Sequence, residues 1–346
     1  MSAAARRVVT FGEIMLRLGS PGFERLLQSA MLTATFGGGE ANVAVSLAQF
    51  GLPSDYVTRL PNNALGDAVI RALRAEGVGT SYITRGGSRL GIYFTETGAS
   101  QRASTVVYDR AHSAISEIPP DAVKWDEVMA DAAWFHVTGI TPALGEKTVA
   151  ATKASIEAAK KAGARVSVDL NYRKKLWTEA QAQAVMRPLM SAVDVVIANE
   201  EDLQSVLGVR MTGTDVTKGT LNVDAYREAA EWVTRELGPP LVAITLRESL
   251  SASDNGWSAM LWDGGTQTLH RSQHYAVRLV DRIGGGDSFA AGLIYGLATG
   301  RSNADSLHFA VAASALKQTI PGDFNRVTVA EVDALAKGDA SGRVQR

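Results

Sequence analysis

From residue 133 onward, short runs rich in Val, Ile and Ala alternate with longer, mixed-polarity stretches. The run AWFHVTGI reads as a buried strand, and 143–162 as an Ala/Lys-rich helix that ends at Gly163. RVSVDLN is a second strand, after which Thr178 is a good N-cap for a helix reaching about Ser191. VDVVIAN is a third strand, followed by a helix from about Glu200 to Leu207. A helix near 224–237 then leads into LVAITL, the fourth strand. Apolar strands alternating with helices predict βαβ units and a mostly parallel sheet covered on both faces. WSAMLWD and HYAVRLVD read as later, antiparallel strands, and beyond Gly286 the pattern is helical almost to the end. The tail 338–346 is polar, contains glycine and is expected to be loose.

The first third follows another pattern. VVTFGE and DYVTRL read as core strands flanking a helix at 40–50. RLGIYFTETG and STVVYDR alternate polar and apolar residues, which suits antiparallel ribbons with one solvated face. Residues 14–36 could add another ribbon. The expected organisation is an α/β core of 1–13, 37–87 and 111–337, carrying a small β lid made of 14–36 and 88–110. Lids exclude water from chemistry. Open ribbon edges favour pairing with another copy, so a homo-oligomer through the lid is expected.

Composition narrows the class. With 346 residues, 46% of them hydrophobic, the chain can bury a large core. The net charge of −1, from 35 basic and 36 acidic residues without a basic tract, gives no sign of nucleic acid or anionic membrane as partner. The absence of cysteine excludes disulfides, thiolate metal sites and a cysteine nucleophile. The N-terminus lacks the apolar stretch of a signal peptide and no segment approaches a membrane span, so a cytoplasmic protein is expected.

Two glycine-rich turns open helices. In DRIGGGDSFAAGLIYG, Gly284, Gly285 and Gly286 remove every Cβ that would block an anion at the helix N-terminus, and Asp287 follows directly. Asp287 then either caps the helix or does chemistry beside a phosphate. FGGGEANVAVSLAQFG fails the dinucleotide pattern G-x-G-x-x-G, because Asn42 stands at the third position. That turn could hold a ligand on backbone N–H groups, with Asn42 serving hydroxyls, or could be ordinary packing. DLNYRKKLW and ANEEDL each follow a strand, where open parallel sheets bind ligands. Arg173 there is a solvated arginine or a clamp for an anionic substrate. Glu200, Glu201 and Asp202 could organise Mg2+ through water, or simply complement the helix dipole. The histidines at 112, 136, 270, 274 and 308 show no metal spacing and read as structural.

Together these residues resemble the ribokinase-like (PfkB-type) carbohydrate kinase family over essentially the whole chain. Two signatures carry it: Gly37-Gly38-Gly39-Glu40-Ala41-Asn42, and Gly284-Gly285-Gly286-Asp287 after Asp281, where the family has Gly-Ala-Gly-Asp. RLGIYFTETGASQRASTVVYDRAHSAIS, HVTGITPALG and DLNYRKKLW are similar to the 2-keto-3-deoxygluconate kinases within it. The resemblance implies an αβα sandwich with a β lid, Mg2+ and ATP, and a keto-deoxy sugar acid phosphorylated at a hydroxyl. A monovalent cation is a further candidate cofactor. It implies Asp287 as catalytic base, of ordinary acidity, and Gly38, Asn42, Tyr93, Tyr108, Arg110 and Arg173 on the sugar, with Arg173 on its carboxylate. Asn199, Thr245, Arg247 and the turn Gly284–Gly286 fall to the nucleotide, and Glu200 and Asp202 to metal-bound water. Two departures stand out: Asp202 is one methylene shorter than the family's glutamate, and TLRESLSASDNGW lacks the usual glycine pattern of the nucleotide loop. Arg102, Arg110 and Arg173 favour an acidic or phosphorylated sugar. A kinase for 2-keto-3-deoxygalactonate, fructose or a phosphosugar, or a non-catalytic sugar-binding regulator, are the alternatives.

Overall fold

The structure, a computed structural model, describes residues 7–209 and 223–342. The chain begins with β1 (Arg7–Phe11), β2 (Met15–Gly19), β3 (Thr33–Gly37), α1 (Gly39–Gln49), β4 (Ser54–Val57), β5 (Arg59–Leu60) and α2 (Ala64–Ala75). There follow β6 (Thr84–Arg85), β7 (Gly91–Glu96), β8 (Thr105–Asp109), α3 (Trp125–Met129), β9 (Ala132–Thr138), α4 (Glu146–Lys161), β10 (Arg165–Asp169) and α5 (Glu179–Met186). The last part carries β11 (Val195–Ala198), α6 (Glu200–Leu207), α7 (Val223–Leu237), β12 (Leu241–Ser249), β13 (Asp254–Asp263), β14 (Thr268–Arg271), β15 (Tyr275–Arg278), α8 (Gly285–Ala298), α9 (Asn303–Lys317) and α10 (Val329–Ala336).

The main sheet runs β14-β13-β12-β11-β10-β9-β1-β4, with β15 also on β13. The pairs from β4 to β12 are parallel, and β13 turns the sheet antiparallel, as WSAMLWD and HYAVRLVD suggested. Strand residues alternate between two cores. Val9, Phe11, Val196, Val242 and Ile244 pack on one face with α4 and α7, while Val8, Val195, Ile197 and Ala243 pack on the other with α8 and α9. That double burial is why these strands are continuous apolar runs. The chain order reverses between β1 and β9, a topological switch point whose carboxyl end is where open α/β sheets hold ligands.

A separate four-stranded sheet, β3-β2-β7-β8, is built from the alternating segments of the first third, with β2 and β7 parallel and the outer pairs antiparallel. Three local expectations change. DYVTRL splits, because Arg59 and Leu60 leave the main sheet to pair with β6. The helix from Thr178 keeps its capping box but ends at Met186 and tightens into a 3-10 turn over Arg187–Ala192, where Pro188 has no N–H for the α ladder. The stretch after LVAITL is mostly strand, since β12 runs on to Ser249. Helix α2 is additional, capped by Asn63, whose side chain accepts from the N–H groups of Leu65 and Gly66. Part of the tail expected to be loose, 343–346, lies outside the described residues.

Candidate active site

Helices α1 and α8 point their N-termini at the same place. Neither start has a side-chain cap, so their first-turn N–H groups face a shared cleft. Gly284 is left-handed, with φ of 84°, and a Cβ there would overlap the main-chain oxygen of Asp323. A Cβ on Gly38 would overlap the Glu13 carbonyl. Each turn is therefore glycine for a steric reason as well as an electrostatic one. The cleft holds about 760 Å3 and lies at the carboxyl ends of the parallel strands.

Asn42 ties the two turns together. Its Nδ2 donates to Asp287 Oδ2 at 2.6 Å, and its Oδ1 accepts from Gly38 N at 3.3 Å. Asp287 is half-buried at the cleft, and desolvation raises its pKa to about 6 against the Asn42 hydrogen bond and the Arg173 and Lys317 charges, with Asp323 adding to the rise. The ordinary acidity expected for it is thus replaced by a proton affinity close to neutrality. Glu40 is fully buried and pushed up to about 7 by desolvation, although Thr138 N, Thr138 Oγ1 and Thr141 Oγ1 all donate to its Oε1. It fastens the start of α1 to the end of β9.

Arg173 sits at the mouth among acids. It donates to its neighbour's carbonyl, Tyr172 O, at 3.0 Å. Its charge also favours the ionised forms of Asp169, Asp202 and Asp287. Asp169, at the end of β10, is buried and held well above its ordinary pKa by desolvation and by the charges of Asp202 and Asp287. Arg110 also lines the cleft, but its guanidinium is clamped on Glu13 Oε2, by Nε at 2.7 Å and by Nη2, while Ser113 holds Oε1. Tyr93 is buried and donates to Asp323 Oδ2 at 2.6 Å, whereas Tyr108, its ring 5.9 Å from that of Tyr93, is open to the cleft. Arg102 is not a cleft residue: it pairs with Glu96 at 2.7 Å and donates to the Phe23 carbonyl, which anchors a small-sheet loop.

At the other end, Thr245, Arg247 and Ser249 line the cleft from one face of β12, as the two-residue strand period requires. Arg282 faces them, its pKa lowered by burial and by the Arg247 charge. Asn199 caps α6 in a reciprocal box with Asp202, whose two oxygens accept from Tyr172 N at 2.8 Å and Asn199 N at 3.0 Å. Glu200 accepts from the Tyr226 hydroxyl at 2.7 Å. Among the described residues no three His, Asp or Glu side chains are grouped to hold a metal. Glu200, Glu201 and Asp202 line this end of the cleft, and carboxylate oxygens are the ligand type that Mg2+ accepts.

Sequence reasoning missed a buried ionic hub. Arg17 bridges Asp281 and Asp323 at 2.6 Å each, and Asp281 also accepts from Ile283 N and Gly322 N. Arg17 on β2 thereby links the small sheet to the turn that opens α8. Asp169, Glu40, Arg282 and Asp323 were likewise unassigned; Glu40 and Arg282 lie inside the quoted glycine motifs, which is the one signal that could have raised them.

A half-buried carboxylate with a pKa near neutrality, beside an uncapped helix start, suits transfer of a phosphoryl group to a hydroxyl. The class follows from the comparisons as well: the model of the pfkB family carbohydrate kinases matches residues 5–325, and the chain belongs to that family. The fold is ribokinase-like. A crystal structure of 2-dehydro-3-deoxygluconokinase from Thermotoga maritima is 51% identical, with a TM-score of 0.92, over 96% of this chain and 99% of that one. The 2-dehydro-3-deoxygalactonokinase of Haloferax volcanii is 33% identical over 335 residues, 97% of this chain and 98% of that protein. The 2-dehydro-3-deoxygluconokinase of Thermoproteus tenax is 29% identical over 320 residues, 91% of this chain and 89% of that protein. The chain is thus a carbohydrate kinase that binds a sugar and ATP.

Proposed function

We propose that this kinase phosphorylates 2-keto-3-deoxygluconate to 2-keto-3-deoxy-6-phosphogluconate, with ATP as donor, in the cytoplasm where ATP is supplied. The observation that carries the acid specificity is Arg173, a cleft guanidinium whose one side-chain hydrogen bond among the described residues goes to a neutral carbonyl. A planar guanidinium grips both oxygens of a carboxylate, and one that forms no direct salt bridge among the described residues, though acids stand near it, favours an acidic substrate in a small-molecule cleft. Arg110, by contrast, is already neutralised by Glu13. The relatives named for the gluco and galacto acids share this carboxylate and differ in one hydroxyl, so the galacto acid is the second reading.

In the proposed reaction Gly38 and Asn42 hold sugar hydroxyls, and Tyr108 covers the sugar from the small sheet, whose segments 14–36 and 88–110 act as the lid. Asp287 accepts the proton of the attacking hydroxyl as its oxygen bonds to the terminal phosphorus and ADP departs. The amides of the turn at Gly284–Gly286 face the charge that develops on the transferring group. Arg282, Arg247, Thr245 and Asn199 flank the nucleotide. Glu200 and Asp202 would hold Mg2+ through water, and the ion would supply further charge neutralisation at the phosphates.

The test is kcat/KM of wild type and Arg173→Ala on the keto-deoxy acid and on a neutral ketose. The substitution should cost about 2 to 4 kcal/mol in kcat/KM on the acid, mainly through KM, and almost nothing on the ketose. Equal losses on both substrates would assign Arg173 to the nucleotide site or the fold.

A further inference from the structure

Lys317 ends α9, and its side chain is fully buried. It is not among the residues that line the cleft, and the reaction described above does not use it. Burying an ammonium is costly unless its hydrogen bonds are all made. Its three donors meet three main-chain carbonyls: Asp281 O at 3.3 Å, Ile283 O, and Ile320 O at 3.5 Å. Two of those carbonyls belong to the turn that leads into α8. A Cβ on Gly284 would lie 3.2 Å from Lys317 Cε, so the ammonium lies directly against the underside of that turn. Its acidic neighbours Asp281 and Asp323 are already held by Arg17 at 2.6 Å, and Asp287 by Asn42. Burial lowers the Lys317 pKa, while Asp281, Asp323 and Asp287 oppose the fall and Arg17 adds to it.

A cage of main-chain carbonyls is the setting that replaces the water shell of a monovalent cation. In each planar trans peptide the carbonyl and the following N–H point opposite ways. Drawing the carbonyls of Asp281 and Ile283 toward Lys317 therefore turns the N–H groups of Arg282 and Gly284 away from it, toward the cleft side. We propose that the Lys317 ammonium is a built-in monovalent cation that sets the peptide orientation of the 281–284 turn, so that catalysis needs no dissolved one. Lys317 is thus a positioning residue, and the inference rests on reading that turn as the phosphate site.

The experiment measures ADP release in buffer free of K+, Na+ and NH4+, then with KCl or NH4Cl added, for wild type, Lys317→Ala and Lys317→Met. Turnover by the wild type on some sugar tests the kinase reading by itself, and the variants test the cation. Wild type should change by less than twofold on adding either salt. Lys317→Ala should lose kcat by about 10²-fold, the scale of an ångström-sized misplacement, and regain at least about tenfold with NH4+ or K+. Lys317→Met fills the space without charge and should stay inactive at every salt concentration. A wild type that requires K+, or a Lys317→Met enzyme with near-native kcat, would overturn the proposal. Those two measurements decide the matter even where the alanine variant is too unstable to assay.

Discussion

Asp287 shows how one side chain acquires its proton affinity from its surroundings. The same Asp at an exposed helix start would be a cap with an ordinary pKa. Here burial raises it to about 6, and Asn42 keeps one oxygen aimed across the cleft. A base with that affinity works in its ionised form, so kcat/KM should be constant above the pKa and fall as pH drops through about 6. Asp287→Asn should keep the fold, by circular dichroism, and sugar binding, by calorimetry, while kcat falls roughly 10²- to 10⁴-fold. Near-native kcat in that variant would remove Asp287 from the mechanism, since the start of α8 has no side-chain cap for it to supply.

At the level of elements, one substitution in the glycine turn that opens α8 should move stability and activity in opposite directions. Gly286 lies in the first turn of α8, and a Cβ there would meet nothing within 4 Å. Gly286→Ala should therefore stabilise the helix by about 0.5 to 1 kcal/mol in denaturant unfolding. The same methyl group would stand where the phosphate approaches, so kcat/KM for ATP should fall by an order of magnitude or more. Unchanged kinetics would move the phosphate away from this turn. The βαβ region was readable because strands buried on both faces leave unbroken apolar runs, and the small sheet because its strands alternate. Helix α2 was overlooked although Asn63 before an amphipathic run is a start signal. Both glycine turns were legible because each is local. The hub joining Arg17 to Asp281 and Asp323 was not, since its members lie 264 and 306 residues apart and only the fold brings them together. Arg110 shows the converse: its place in the cleft could be expected, but its neutralisation by Glu13, 97 residues away, could not.

For the whole molecule, the small sheet leaves open edges at β3 and β8, and Val107 and Tyr108 on β8 are 48% and 43% exposed. Unprotected apolar edges favour association with a second copy, so light scattering coupled to size exclusion should give a mass above that of one 36.7 kDa chain. A monomer at all working concentrations would rule out the pairing and leave the lid role untouched. The central claim is that this family member is built for a sugar acid, and it joins every scale: a cleft arginine, a loop after β10, and a cleft lined on one side by a second sheet. Its most direct test is kcat/KM of the wild-type enzyme with Mg2+ and ATP on 2-keto-3-deoxygluconate, 2-keto-3-deoxygalactonate and fructose. The account predicts that the two acids exceed fructose by at least about 100-fold, the worth of one charge-assisted pair left unmade. Fructose turned over as well as either acid would contradict it.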